Sequence, residues 1–397
     1  MKSTNGRFYG GIDNAITGLK LAIVLLLIGF FPQLSQAQDT EPEISVGVAD
    51  GFQVDLPSQG SGFGVNVRIQ QQVEAFLPAD NLEQTQLSTF MRRNRLLFSG
   101  YTMDGDLNFL LMPALDFGRA DLEIARVRWQ LKPTWQLTMG QFKLPMTREF
   151  LILSKHLPQV DRSFIDARFR QAYDLGIQLE KVIPLNRAEL SLKGMVSGGE
   201  GPNAPMQDGG YNYTFRAEYF ATGKFKAYLP SDISRSDELR MAFAAGINYN
   251  DDIHKTGGVT GNALTYTQGE AKIDLMHLFA DFIVKKSGYS VMGSVLNRQF
   301  FYPANFNKTL FEGSGYMVQA GYMANEKTEL TIQHGRYWPR ERVDDRFGQE
   351  QRVVAGLARF FEGHDLKMQG DIGIITHPDR SNMGEQIIAR MLFQIDF

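Results

Sequence analysis

The chain has 397 residues, 43% hydrophobic and 12% aromatic, with no cysteine and a formal net charge of −3. The lack of cysteine excludes disulfides and thiolate metal sites, so any metal would need His or carboxylate ligands. Beyond the N-terminus no stretch of about 18 apolar residues occurs, which excludes a spanning helix in the mature chain, and the charge leaves no nucleic-acid footprint.

The N-terminus reads as an export signal. Lys2, Arg7 and Lys20 flank an apolar run from Leu21 to Phe31, and Ser35-Gln36-Ala37 is a small-x-small cleavage site. Residues 1–37 are expected to be removed, so that the mature chain starts at Gln38. The alternative, an N-terminal anchor, needs about 20 apolar residues, and this run is shorter. The signal carries three basic residues and one acidic residue, which leaves the mature chain at −5. Residues 38–60 read as a short, acidic periplasmic lead-in without heptads or a helix of their own.

From residue 61 to 397 the chain divides into sixteen candidate strands: 62–76, 91–102, 105–117, 121–131, 134–143, 172–182, 188–197, 211–221, 239–250, 272–286, 288–301, 313–324, 328–337, 350–362, 365–376 and 385–397. Most reach the ~9–11 residues that a tilted strand needs to cross a bilayer. One set of connections is tight, such as Lys132-Pro133, Ser287-Gly288 and Glu362-Gly363-His364. The alternate set is long: 77–90, 144–171, 198–210, 251–271, 302–312, 338–349 and 377–384. Two places break the alternation, a short connection at 118–120 and a long one at 222–238. The expected fold is all-β, a transmembrane antiparallel β-barrel of about 16 strands with short periplasmic turns and long outer loops. An even count places both termini on the periplasmic side. A soluble sandwich or propeller would show polar outer faces, and no repeat of blade length is present.

The final strand shows the period most clearly. Ala389, Met391, Phe393, Ile395 and Phe397 alternate with Arg390, Gln394 and Asp396. A strand ending in a C-terminal aromatic resembles the closing strand of bacterial outer-membrane barrels. That resemblance implies an outer-membrane location, contact with its lipid, and recognition of Phe397 by the barrel-assembly machinery.

The same parity assigns faces elsewhere. Ala125, Val127, Trp129 and Leu131 face lipid, so Arg126 and Arg128 point inward. Leu96 and Phe98 place Arg93 and Arg95 in the lumen. Tyr213, Phe215 and Tyr219 leave Arg216 and Glu218 inside, and Arg240, Asn248 and Arg390 are inward by the same rule. An Arg at mid-bilayer on the lipid face would cost ~2–4 kcal/mol. In 350–362 either Arg352 or Arg359 could face in.

The longest connection, Leu144 to Gln171, carries Arg148, Lys155, His156, Arg162, Arg168 and Arg170 among apolar residues such as Phe150, Ile152, Phe164 and Phe169. Such a loop is expected to fold into the lumen and narrow it. A ring of Lys and Arg at a narrow point favours anions. Residues 91–171 hold thirteen Lys/Arg and eight Asp/Glu, so the rest of the mature chain is acidic. Field focusing at such a constriction would raise anion entry. The alternative is that these charges pair locally and brace the wall.

Three blocks resemble the phosphate-selective porin O/P family: Arg92-Arg93-Asn94-Arg95-Leu96; Gly140-Gln141-Phe142-Lys143-Leu144-Pro145 with Ser154-Lys155 and Asp161-Arg162-Ser163; and Tyr173-Asp174-Leu175-Gly176-Ile177-Gln178-Leu179. The resemblance implies a sixteen-stranded, typically trimeric channel for small anions such as phosphate, with the third loop inside. It places Arg93, Arg95, Lys143, Arg148, Lys155 and Arg162 near the constriction. Arg126, Arg128, Arg168 and Arg170 join them from parity and charge alone. The chain departs from the family in being acidic outside that region. The expected function is a passive channel preferring anions; a general diffusion porin or a plugged receptor barrel are the alternatives. No enzyme is expected, because none of the six His forms a nucleophile–base pattern. No cofactor or metal is expected either; Asp251-Asp252 and Asp344-Asp345 read as solvated loop charge.

Overall fold

The computed structural model describes residues 42–48, 51–80, 82–205, 210–264, 273–301, 310–341, 347–380 and 384–397. The expected signal segment and its cleavage site lie outside the described residues, as do Asp344, Asp345 and parts of several long connections. Two short strands come first, β1 (Glu43–Gly47) and β2 (Gly51–Leu56). Sixteen follow: β3 (Ser61–Pro78), β4 (Gln86–Thr102), β5 (Leu107–Ala114), β6 (Asp121–Lys132), β7 (Trp135–Lys143), β8 (Tyr173–Leu185), β9 (Ala188–Ser197), β10 (Asn212–Phe220), β11 (Arg240–Asn250), β12 (Asp274–Lys286), β13 (Tyr289–Phe301), β14 (Gly313–Asn325), β15 (Thr328–Pro339), β16 (Glu350–Glu362), β17 (Leu366–Thr376) and β18 (Gln386–Asp396).

Each of the sixteen pairs antiparallel with the next, and β18 pairs back onto β3 from Gln386 opposite Pro78 to Asp396 opposite Arg68. The sheet is therefore a closed sixteen-stranded barrel without an open edge. Closure removes the two free edges that an open sheet would expose to lipid. The outer face is apolar: Tyr213, Phe215, Tyr219, Phe243, Ile247, Leu357, Ile372 and Met391 are all exposed. The alternate residues are polar and buried, among them Arg216, Glu218, Asn248, Gln319, Gln369 and Gln394. In β16 the parity question resolves. Arg352 lies over the Phe164 ring, on the inside, whereas Arg359 is exposed beside Thr328 and Asn325.

The expected strand limits shift in three places. β3 and β4 extend toward each other, so the first long connection shrinks to the stretch between Pro78 and Gln86. The third strand stops at Ala114 because Asp116–Gly118 forms a 3-10 turn with Phe117 at φ 52°. Within 38–60 the lead-in has strands of its own. β2 pairs with β3 from Phe52 opposite Val65 to Leu56 opposite Ser61, and β1 folds back on β2. Two apolar alternating runs of five and six residues were too short to stand out beside the longer barrel strands.

At the β18–β3 seam a buried ion pair joins Arg68 Nε to Asp396 Oδ2 at 2.7 Å. Beyond it, the Val67 amide donates to Phe397 O and the Phe397 amide donates to Val67 O. Asp396→Ala removes the partner of a guanidinium that is 3% exposed. The expected loss is about 3–5 kcal/mol of barrel stability, read as a lower urea midpoint in detergent; an unchanged midpoint would show that the seam does not depend on this pair.

Candidate functional site

The connection from β7 to β8 is built to stay put. Gly140 in β7 has φ +113°, and a Cβ there would lie 2.1 Å from the Ala125 carbonyl oxygen. Only glycine fits. Past this point the alternation breaks, with Gln141 and Phe142 both buried, and Lys143 turns onto the loop. Its Nζ donates to Phe150 O at 2.6 Å and Ile152 O at 3.1 Å. Two short helices follow, α1 (Arg148–Leu151) and α2 (Phe164–Phe169). Ser163 caps α2, its Oγ accepting from the Asp166 amide at 3.1 Å.

Leu144, Met146, Ile152, Ile165 and Phe169 are wholly buried, in one cluster with Phe279, Ile283, Met292, Leu296, Met317 and Tyr337 of β12–β15. Two glycines make room for α2. A Cβ on Gly315 would meet Ile165 at 2.9 Å, and one on Gly335 would meet Phe164 at 3.1 Å. Farther along, Gln159 Nε2 donates to Val354 O, and Lys367 Nζ and Gln369 Nε2 donate to Leu157 O.

The basic residues separate into two groups. The first is consumed in pairing. Arg148 is 1% exposed and lies 2.7 Å from Glu218 and 3.2 Å from Asp281. Lys155 lies 2.7 Å from Asp365 and 3.4 Å from Asp396. Arg168 pairs with Glu350 and stacks over Phe164, Phe311 and Tyr337. These three fix the loop to β10, β12, β16 and the β16–β17 turn. Arg162 donates to Glu149 O at 3.0 Å and Ile152 O at 2.6 Å, holding the loop to itself.

The second group lines open space and overlaps the first: Arg162 belongs to both, and Arg170 also lies 3.3 Å from Asp166. A cavity of about 230 Å³ is lined by seven Lys/Arg, including Arg93, Arg95, Lys143, Arg162 and Arg170, against two carboxylates, Asp116 and Glu123. Arg95 pairs with both of these. Asp161 is shared by Arg92 at 2.9 Å and Arg93 at 2.8 Å. Burial opposes its ionisation, but Arg93 and Arg92 outweigh burial and hold its carboxyl well below the usual range. A second cavity of about 210 Å³ is lined by Arg126, Arg128, Lys143 and Lys193 with Tyr228 and one carboxylate, Glu180. Among the described residues neither Arg126 nor Arg128 has an ion-pair partner, and the Nε of each is buried without a hydrogen bond. Lys143 lines both cavities.

Sequence reasoning left out Arg92, Arg68 and Lys193. The alternation Val67, Ile69 against Arg68, Gln70 and Leu190, Leu192 against Ser191, Lys193 carries the same parity signal as the residues it did select. His156 adds no charge, because burial and the neighbouring Lys155 push its imidazole down to about 3. Asp252 lies on the wall side of its loop, its amide donating to Asp274 at 3.1 Å.

A family model described as phosphate-selective porin O and P matches residues 63–325. No curated protein matches the chain. Among solved structures the chain is similar to outer-membrane expressed OmpT of Vibrio cholerae, with 10% identity over 86% of this chain and 99% of that one and a TM-score of 0.54. OprB of Pseudomonas putida shares 11% identity over 84% of this chain and 94% of its own, with a TM-score of 0.55. OmpF of Salmonella typhi, solved with daunomycin, shares 8% over 85% and 99%, with a TM-score of 0.55. At such identities the likeness is one of fold.

Two outcomes are expected for the loop. Arg148→Ala strands Glu218 and Asp281 with Arg216 alone, at a cost of about 3–5 kcal/mol. Limited proteolysis should then cut within 144–171 while the barrel stays folded. The second concerns Glu149, whose carboxyl accepts from the Ser163 amide at 2.6 Å. Burial, with Asp166 nearby, pushes it up to about 7. The docked loop thus holds this proton more tightly than free chain does, so the contribution is full below the ordinary Glu value and is lost as pH rises through about 7. Amides of 148–170, corrected for intrinsic exchange, should be better protected at about pH 6 than at about pH 8. Glu149→Gln should flatten that difference.

Proposed function

The chain belongs to the phosphate-selective porin O and P family and is an outer-membrane channel protein, and we propose that its passage prefers small oxyanions of the phosphate class. The observation that carries this reading is the pair Arg126 and Arg128, guanidiniums with buried, unsatisfied Nε atoms and, among the described residues, no ion-pair partner, in a cavity with Glu180 as its one carboxylate. A guanidinium so placed presents a planar fork of donors that matches a tetrahedral oxyanion. The basic cavity above, lined by Arg93, Arg95 and Arg170, would gather anions by field focusing. Lys143, shared by both cavities, would hand them on.

In this reading the third connection lies inside the barrel and narrows it. Its buried apolar residues and its bonds to the Asp281 and Asp371 carboxylates of β12 and β17 and to the Val354 carbonyl of β16 support that placement. Arg148, Lys155 and Arg168 then act as anchors, and Arg93, Arg95, Arg126, Arg128, Lys143, Arg162 and Arg170 form the filter. The tight turns face the periplasm, where Phe397 would be available to the assembly machinery before closure, and copies of the barrel associate as trimers. A general diffusion porin is the competing reading, and it differs in the readout below.

The deciding experiment is the zero-current potential in a planar bilayer across a salt gradient, followed by phosphate titration. The expected sign is that of anions, with phosphate blocking chloride current. An anion sign without block leaves a general anion porin, and a cation sign overturns the proposal. Each charge-assisted hydrogen bond is worth about 1.5–3 kcal/mol, so Arg126→Ser and Arg128→Ser should each weaken phosphate block by about tenfold or more. Asp161→Asn should do the reverse, because it releases Arg92 and Arg93 toward the passage.

A further inference from the structure

The longest connection at the tight-turn end is the stretch between β10 and β11. The register there, Phe220 opposite Ala242, would be complete with a two-residue hairpin. Instead the chain runs on from Ala221 to Leu239 and packs against inward-facing side chains. Several of its polar contacts cover an acid or a cation beside one. Tyr228 Oη donates to Glu218 at 2.5 Å, and Ser231 Oγ donates to Glu329 at 2.6 Å. Lys285 Nζ donates to Leu229 O and Ser231 O and lies 3.6 Å from Asp232. The Arg148 guanidinium of the third connection stacks 5.3 Å from the Tyr228 ring centroid and donates to Ala227 O. Glu218, Glu329 and Asp232 are at most 1% exposed.

We propose that the 221–239 segment is a second selectivity element, which enters from the tight-turn end and shields the acidic wall of β10, β12 and β15 from the passage. It rests on the anion-channel reading above and adds to it. Without the segment, Glu218 would keep Arg148 and Arg216 but lose its Tyr228 cover, and Glu329 would lose the Ser231 hydroxyl and face the lumen. Their field would attract the cations that the basic wall repels. The segment leaves Tyr228 as the surface of the lower cavity in place of the carboxylate behind it. Cation preference at a porin wall is thereby suppressed by covering acids, without replacing them.

Replacing 222–240 by Asn-Gly joins the two strands in their existing register. The expected channel has about twofold or greater conductance and a potential shifted toward cations. Glu218→Gln with Glu329→Gln in the shortened chain should return the potential toward anions while conductance stays high. Should the shortened barrel fail to fold, the absence of cysteine from the chain supplies another measurement. A thiol at Glu329→Cys in the full chain should resist a charged methanethiosulfonate reagent that readily modifies Arg126→Cys. A wider channel with unchanged potential, or rapid modification of Glu329→Cys, overturns the shielding proposal and leaves the anion reading standing. A full-length channel without anion preference defeats that reading instead, and thiol protection still decides whether the acids are covered.

Discussion

Four buried charges tie the β7–β8 connection to the barrel wall: Arg148 from the connection, Arg216 and Glu218 from β10, and Asp281 from β12. Arg216 bonds Asp281 at 2.6 Å, and Arg148 closes the set by reaching both acids. None is stable alone at such burial. Removing any one leaves a charge in low dielectric, at a cost of several kcal/mol. The wall therefore needs the loop as much as the loop needs the wall. The Asp281 carboxylate makes this explicit, since it also accepts from the Arg148 backbone amide at 2.9 Å. Once Arg148 is fixed, Met146 and Ile152 on either side are committed to the apolar cluster with Phe279 and Ile283.

In the proposed reading the consequence is an interior with two unlike sides. Toward β10–β15 the space is filled by apolar packing and paired charge. Toward β3–β7 it is open and basic. Net charge summed over the sequence hides this division. The acids that make most of the chain negative are bound to specific partners: Glu218 to Arg148 and Tyr228, Glu329 to Ser231, Asp371 to Arg390. An unpaired charge in a narrow passage weighs far more than a paired one behind a wall.

The barrel was legible because its physics is periodic. Lipid outside and water inside impose an alternation at every second residue, and Met241, Phe243, Ile247 against Asn248 and Asn250 can be read without any three-dimensional knowledge. The faces of Arg93, Arg95, Arg126, Arg128, Arg216 and Arg390 followed from it. What parity cannot give is the partner across the lumen. Arg148 and Arg162 look alike in sequence, yet one is bonded to Glu218 and Asp281, acids 70 and 133 residues away, and the other to carbonyls 10 and 13 residues away. The irregular stretch 222–238 was visible as an exception, but its contacts to Glu218 and Glu329 depend on closure of the whole sheet. The first hairpin escaped notice because β1 and β2 are only five and six residues long.

The close seat of α2 on β14 and β15 carries a geometric implication. Gly315 and Gly335 are where the helix touches the wall, and a Cβ would lie 2.9 Å from Ile165 at the first and 3.1 Å from Phe164 at the second. A methyl at either would press Phe164 or Ile165 back by a few tenths of an ångström, and a packed interior passes such a shift on to its neighbours. Arg168 and Arg170 ride on the same turn of chain. In the proposed channel the bore of the basic passage is thus measured from β14 and β15, by two hydrogen atoms standing where carbon would be.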